Sequence, residues 1–170
     1  FSKDHEGQEA LEAYQPGDKK LPYLVVAEWK GKELVGMRYE QLLPWMRPDG
    51  DAFRVIAGDF VTTVDGTGIV HIAPTFGADD NKVAKASGIA GLTVLDKDGN
   101  LRPMVDMTGR LFRLEDLDPS FVKDFVNTEL YQAYAGRYVK NAYDDSLTEA
   151  DETLDVTIAM QLKQEGRAFK

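Results

Sequence analysis

Residues 66–80 read GTGIVHIAPTFGADD, an apolar run that carries one of the two histidines in the chain and ends in two adjacent aspartates. A strand that is only buried does not need His71, and a turn that is only soluble does not need Asp79 and Asp80 together. The passage therefore reads as a strand, a turn and a helix start built to hold something. Behind it, ADDNKVAKASG places carboxylates in a first helical turn, helix formers after them, and Gly88 where a C-cap belongs, which predicts a short helix. Ahead of it run LPYLVVAEW, GKELVGMRYEQL and FRVIAGDFVTTV, each β-rich and each bounded by Gly, Pro or Asp-Gly pairs.

Asp65-Gly66, between FRVIAGDFVTTV and TGIVHIAP, is a hairpin signal, and Asp98-Gly99 within LTVLDKDGNLRPMV is a second. Closely spaced β-runs joined by turns predict an antiparallel sheet or a small barrel. Further on, DPSFVKDFVNTELYQAYAG spaces Phe121, Val122, Phe125, Val126, Leu130 and Tyr134 at helical intervals behind Pro119-Ser120 and closes at Gly136, which predicts one helix. ADETLDVTIAMQLKQEG sets Leu154, Ile158 and Leu162 on one helical face and stops at Gly166, and EGQEALEAY near the start reads as a brief helix or ordered loop. Trp29, Trp45 and the aromatics Phe121, Phe125, Tyr131 and Tyr134 fit core or interface positions.

Composition narrows the chemistry. The chain has 170 residues, 43% of them hydrophobic, enough for one sizeable core, so residues 1–170 are expected to form a single domain. It has no cysteine and only His5 and His71, which excludes disulfides and thiolate chemistry, and no structural metal is expected. A formal net charge of -9 is the wrong sign for a surface that grips nucleic acid by itself. No bilayer-length apolar run and no charged-then-apolar leader is present, so a cytoplasmic setting is expected. The start at Phe1 and the finish at EGRAFK suggest a piece of a longer polypeptide. Ser2, Ser87, Ser120 and Ser146 lie outside any Gly-x-Ser-x-Gly elbow, and neither phosphate-loop pattern occurs. Asp79-Asp80 and Asp144-Asp145 are neighbours in sequence, which do not face one another across a substrate as a glycosidase pair must.

The run from Gly66 through Pro74, with Phe76-Gly77 and Asp79-Asp80 behind it, resembles the signature of the editing domain inserted in isoleucyl-tRNA synthetases. LVGMRYEQLLPW, FRVIAGDFVTTVDG and the closing DVTIAMQLKQEGRAFK are similar to the same domain, so the likeness covers about Leu21 to Lys170. The valyl and leucyl relatives share the Gly-Thr-Gly and the later Asp but typically differ where His71 sits, which leaves them, with a noncatalytic module retaining the fold, as the alternatives. The resemblance implies a mainly β fold with peripheral helices, built as a small, closed, distorted six-stranded barrel. It implies a module without a cofactor of its own, monomeric, that receives the aminoacylated 3′ end of the isoleucine tRNA beside the synthetic domain of a larger enzyme. The activity implied is hydrolysis of mischarged valine from that tRNA. One methylene is worth only about 1 to 3 kcal/mol of discrimination, for which isoleucine against valine in this enzyme family is the standing example, so a second sieve is needed.

Roles follow from the resemblance position by position. Asp80 corresponds to the family's second aspartate, which binds the substrate α-ammonium through charge-assisted hydrogen bonds and is the catalytic candidate. Its plain alternative is a helix N-terminal carboxylate, worth a few tenths of a kcal/mol to about 1. His71 corresponds to a histidine lining the pocket near the substrate side chain, where it helps make the pocket too small for isoleucine; the alternative is a half-buried strand histidine. Ile69 shares a face with His71 along an alternating strand and is a second wall candidate or a core residue. Thr67 and Phe76 flank the same turn as substrate-binding or structural residues. The family's threonine-rich strand, the opposing wall of its pocket, has no counterpart in these residues, and Thr62-Thr63 belongs to a different strand. That leaves an edge open to weak association.

Overall fold

A computed structural model describes residues 3–64, 67–148 and 150–168. The chain divides into two compact units, one from residues 1–37 with 55–57 and the other from residues 38–54 with 58–170. The first unit holds helix α1 (Gln8–Ala13) and the single turn α2 (Gly31–Leu34), in which Lys30 N–H donates to the Glu33 carboxylate at 2.7 Å. Between them the chain forms no helix or ladder: Tyr23 bridges Glu6, while Val26 is 85% and Trp29 63% exposed. Within this unit Gly36 N–H donates to Val55 O, and Val55 N–H to Met37 O.

The second unit carries helix α3 (Ala78–Ala86), the antiparallel pair β1 (Val94–Leu95) and β2 (Leu101–Arg102), helices α4 (Pro119–Phe125) and α5 (Thr128–Tyr131), and helix α6 (Leu154–Gln164). The Asp98-Gly99 hairpin forms as expected, with Gly99 at a φ of 79° that favours glycine. Helices α3 and α6 also form where periodicity and caps placed them, Gly88 and Gly166 taking positive φ just beyond their ends. Asp65-Gly66, the other expected hairpin, lies outside the described residues.

Two expectations are corrected. The mainly β fold with a closed six-stranded barrel is absent: among the described residues β1–β2 is the one ladder, and the remaining β contacts are isolated bridges such as Arg38–Arg54 and Arg110–Tyr138. The runs at 21–29, 53–64 and 67–74 form no ladder among the described residues, because β propensity measures fit to a pleated, half-buried surface and not the presence of a partner strand. Without a ladder, Val25, Val26, Ile69 and Val70 are exposed. The single helix read over 119–136 is two. Asp118 caps α4 through Phe121 N–H, and Asn127 then caps α5 by accepting Leu130 N–H at 3.2 Å. At that junction Arg47 N–H donates to Phe125 O and Asn127 N–H to Trp45 O, so the backbone of 45–47 takes up groups that a continuous helix would use itself.

Those contacts seat Trp45 and Met46 in a core with Val94, Leu117, Phe121 and Tyr131. Trp45 stacks on Tyr134 with ring centroids 4.5 Å apart, an offset arrangement that adds to the area buried. Tyr134 Oη also reaches the Gln161 side chain, which ties α6 to this cluster. Leu154 and Leu162 are buried along the predicted face of α6, with Ile158 packed against the core.

Asp96, at the end of β1, organises the hairpin. Its carboxylate accepts N–H groups from Asp98 and Asn100 and the Arg102 Nε at 3.0 Å. The Asn100 N–H, then Arg102, hold this carboxyl below its ordinary value against the burial that would raise it. A depressed folded-state value means stabilisation that is present above the unfolded carboxylate's value of about 3.9 and is lost as pH falls through the folded one. Acid titration of stability should therefore show a loss beginning near pH 4 that shrinks in Asp96→Asn. Identical acid limbs for the two proteins would remove Asp96 from this account.

Candidate functional site

The segment from Thr67 to Asn81 lies wholly in the second unit. Its first half is irregular and open: Thr67 and His71 are exposed, and Ile69 is 66% exposed. Thr67 Oγ1 accepts Ile69 N–H and donates to Ile69 O, both at 3.3 Å, which closes a local turn instead of offering the hydroxyl outward. The His71 ring makes no side-chain hydrogen bond among the described residues. Phe76, also 66% exposed, projects from the turn rather than into the core.

The second half is tightly bonded. At Pro74 the chain turns: Ala73 O accepts both Phe76 N–H and Gly77 N–H at 3.1 Å, leading into α3. Helix α3 begins without a side-chain cap at Gly77. Asp80, in its first turn, instead folds back: Oδ2 accepts Ala73 N–H at 2.9 Å. Asn81 Nδ2 donates to Pro74 O at 2.9 Å, and Thr75 Oγ1 donates to Leu92 O at 2.9 Å. Through Leu92 the turn is connected to β1, whose Val94 is fully buried, so a rigid core supports it.

Asp80 is thus half-buried at the mouth of the turn with one oxygen committed to a backbone donor and no donor to Oδ1 among the described residues. The uncapped N–H groups of α3 favour a negative charge here. Asp79, its neighbour, points to solvent and pairs with Lys82 at 3.2 Å. In the sequence Asp80 stands out, but the groups that hold it do not: nothing in the residue types of Asn81 and Thr75 predicts a bond to a carbonyl seven or seventeen positions away, nor does Ala73 announce a peptide N–H aimed at a carboxylate. Among the described residues no group of three His, Asp or Glu side chains could hold a metal. A hollow of about 500 Å³, lined by residues such as His5, Tyr14 and Lys20, belongs to the first unit and does not include the turn. Among the described residues no helix is long and apolar enough to cross a membrane.

No protein-family model matches the chain, and no solved structure does. Curated relatives do. An isoleucine-tRNA ligase of Porphyromonas gingivalis is 61% identical over 170 residues, all of this chain and 15% of the ligase. One from Bacteroides fragilis is 61% identical over 160 residues, 94% of the chain and 14% of the ligase, and one from Cytophaga hutchinsonii is 47% identical over 171 residues. The chain spans about one seventh of the length of the relatives it matches. From end to end, this chain is homologous to a segment of isoleucine-tRNA ligase.

Proposed function

We propose that the chain is the post-transfer editing module of an isoleucine-tRNA ligase, which hydrolyses the ester joining valine to the terminal ribose of the isoleucine tRNA. The observation that carries this reading is the Asp80 carboxylate, fixed by Ala73 N–H with Oδ1 left without a donor, in a chain homologous to that ligase. A carboxylate so held can accept a substrate α-ammonium through a charge-assisted hydrogen bond.

The chemistry then needs little from the protein beyond placement. Water attacks the ester carbonyl, the acyl carbon to ribose oxygen bond breaks, and the proton from water passes to the departing ribose oxygen. Holding the ammonium, the ester and the water in one geometry supplies much of the rate without a general base. Nothing in the surroundings of His71 recommends it as that base: the ring is exposed and no carboxylate or carbonyl among the described residues fixes its tautomer. Its role in this reading is size selection together with Ile69, and because both are exposed that selection requires a facing wall from elsewhere in the ligase.

The test uses the intact ligase that carries this segment, with tRNA charged with valine or with isoleucine. The wild type should hydrolyse the valyl ester and spare the isoleucyl one by the 10- to 200-fold that roughly one methylene allows. In His71→Ala the valyl rate should persist and the isoleucyl rate should rise to within about tenfold of it. Collapse of both rates would make His71 a base instead, and a wild type that hydrolyses neither ester would end the editing reading.

A further inference from the structure

Gly77 has no conformational reason to be glycine. Its φ of -98° and ψ of 129° are ordinary extended backbone open to any residue, and helix α3 takes no cap from it. The reason lies in space. A Cβ on Gly77 would stand 2.8 Å from Asp80 Oδ2 and 2.9 Å from Asp80 Cγ, closer than such atoms can approach. The missing side chain is the room in which the Asp80 carboxylate sits. Asn81 acts on the other side of the same contact. Its backbone N–H donates to Gly77 O at 2.8 Å and its side-chain amide to Pro74 O at 2.9 Å, so one residue grips both ends of the loop between Pro74 and Gly77. That grip keeps the Ala73 N–H directed at Oδ2.

We propose that Gly77 and Asn81 are positioning residues for Asp80, Gly77 by leaving the space its carboxylate occupies and Asn81 by clamping the loop whose Ala73 N–H fixes Oδ2. The inference rests on the editing reading, in which Asp80 binds the α-ammonium. Neither residue touches substrate. Each determines where the carboxylate stands when the ammonium arrives, and displacement on the scale of a methyl group is enough to weaken a geometry that must hold to about half an ångström.

The experiment compares two esters on the intact ligase: tRNA charged with valine, and tRNA charged with isovaleric acid, which keeps the side chain and lacks the amino group. Gly77→Ala and Asn81→Ala should each lower kcat/KM for the valyl ester on the order of tenfold, because the ammonium is no longer held where the ester meets water. The slower hydrolysis of the isovaleryl ester should stay at its wild-type rate, which also reports that the variants are folded. Adding either substitution to Asp80→Ala should cost nothing more, since residues acting through one group are not additive. Equal losses on both esters, or a further loss on top of Asp80→Ala, would reduce the two residues to general structural roles. Unchanged kcat/KM for the valyl ester in both variants would overturn the inference while the valyl preference of the wild type kept the editing reading intact. A wild type inactive on the valyl ester overturns both.

Discussion

Asp80→Ala should lower kcat/KM for hydrolysis of valyl-tRNA by the intact ligase about 100-fold, equivalent to about 2.7 kcal/mol, so that valyl-tRNA accumulates in the presence of valine and ATP. Two losses combine in that figure. The incoming ammonium loses a charged acceptor, and the Ala73 N–H loses the oxygen that accepts it at 2.9 Å. Asp80→Asn separates them, because an amide oxygen can still accept Ala73 N–H while the charge is gone. If the ammonium is the partner, Asp80→Asn should lose nearly as much activity as Asp80→Ala and keep the turn. Full activity in Asp80→Asn would return Asp80 to the helix N-terminal role that its position in the first turn of α3 also permits. Salt offers a further check: an ammonium-carboxylate contact at a half-buried site should weaken only modestly at high ionic strength, in contrast to the exposed Asp79–Lys82 pair.

The local signals in the sequence proved legible and the pairing signals did not. Asp98-Gly99 makes a hairpin because the turn chemistry and both partner strands lie within nine residues, Val94 facing Arg102. Helices α3 and α6 likewise satisfy their own backbone groups, so caps and periodicity find them. The barrel failed because a strand is completed by another segment. Residues such as Val25, Val26 and Val70 are suited to a pleated surface, yet here they lie outside any ladder and are exposed. The break at Asn127 has the same origin: helical periodicity continues through Val126 and Leu130, but the backbone of Trp45 and Arg47 competes for the groups at the junction, and that contact spans some eighty positions. At the site, Asp80 is visible as a residue type in a motif, whereas Gly77 enters only as part of the resemblance. Only the φ and the distance to the carboxylate show that its role is steric.

The largest expected effect on stability falls on Tyr131, the last residue of α5. Its side chain is fully buried, its ring lies 6.0 Å from Trp45 at a tilt, and its hydroxyl donates to Phe112 O at 2.6 Å. Tyr131→Ala removes the ring and leaves the Phe112 carbonyl without that donor, so the loss should be about 3 to 5 kcal/mol, the range for large aromatics truncated in cores. Against the roughly 5 to 15 kcal/mol that holds a typical domain together, this is enough to populate unfolded chain. Urea unfolding should show a lower midpoint with an unchanged slope. Tyr131→Phe keeps the ring and should cost only about 1 kcal/mol. It should also alter the alkaline limb. Burial pushes the hydroxyl above its ordinary value, so the folded chain keeps it neutral and its stabilisation is full below about pH 10. That stabilisation is lost as pH rises from the unfolded value toward the folded one, as the unfolded chain ionises first. Tyr131→Phe should be flatter across that window, and a loss under about 1 kcal/mol in Tyr131→Ala would contradict a core built on this ring. Because the turn holding Asp80 is bonded to Leu92 and not to α5, Tyr131→Phe should leave valyl ester hydrolysis unchanged, which separates loss of the fold from loss of the site.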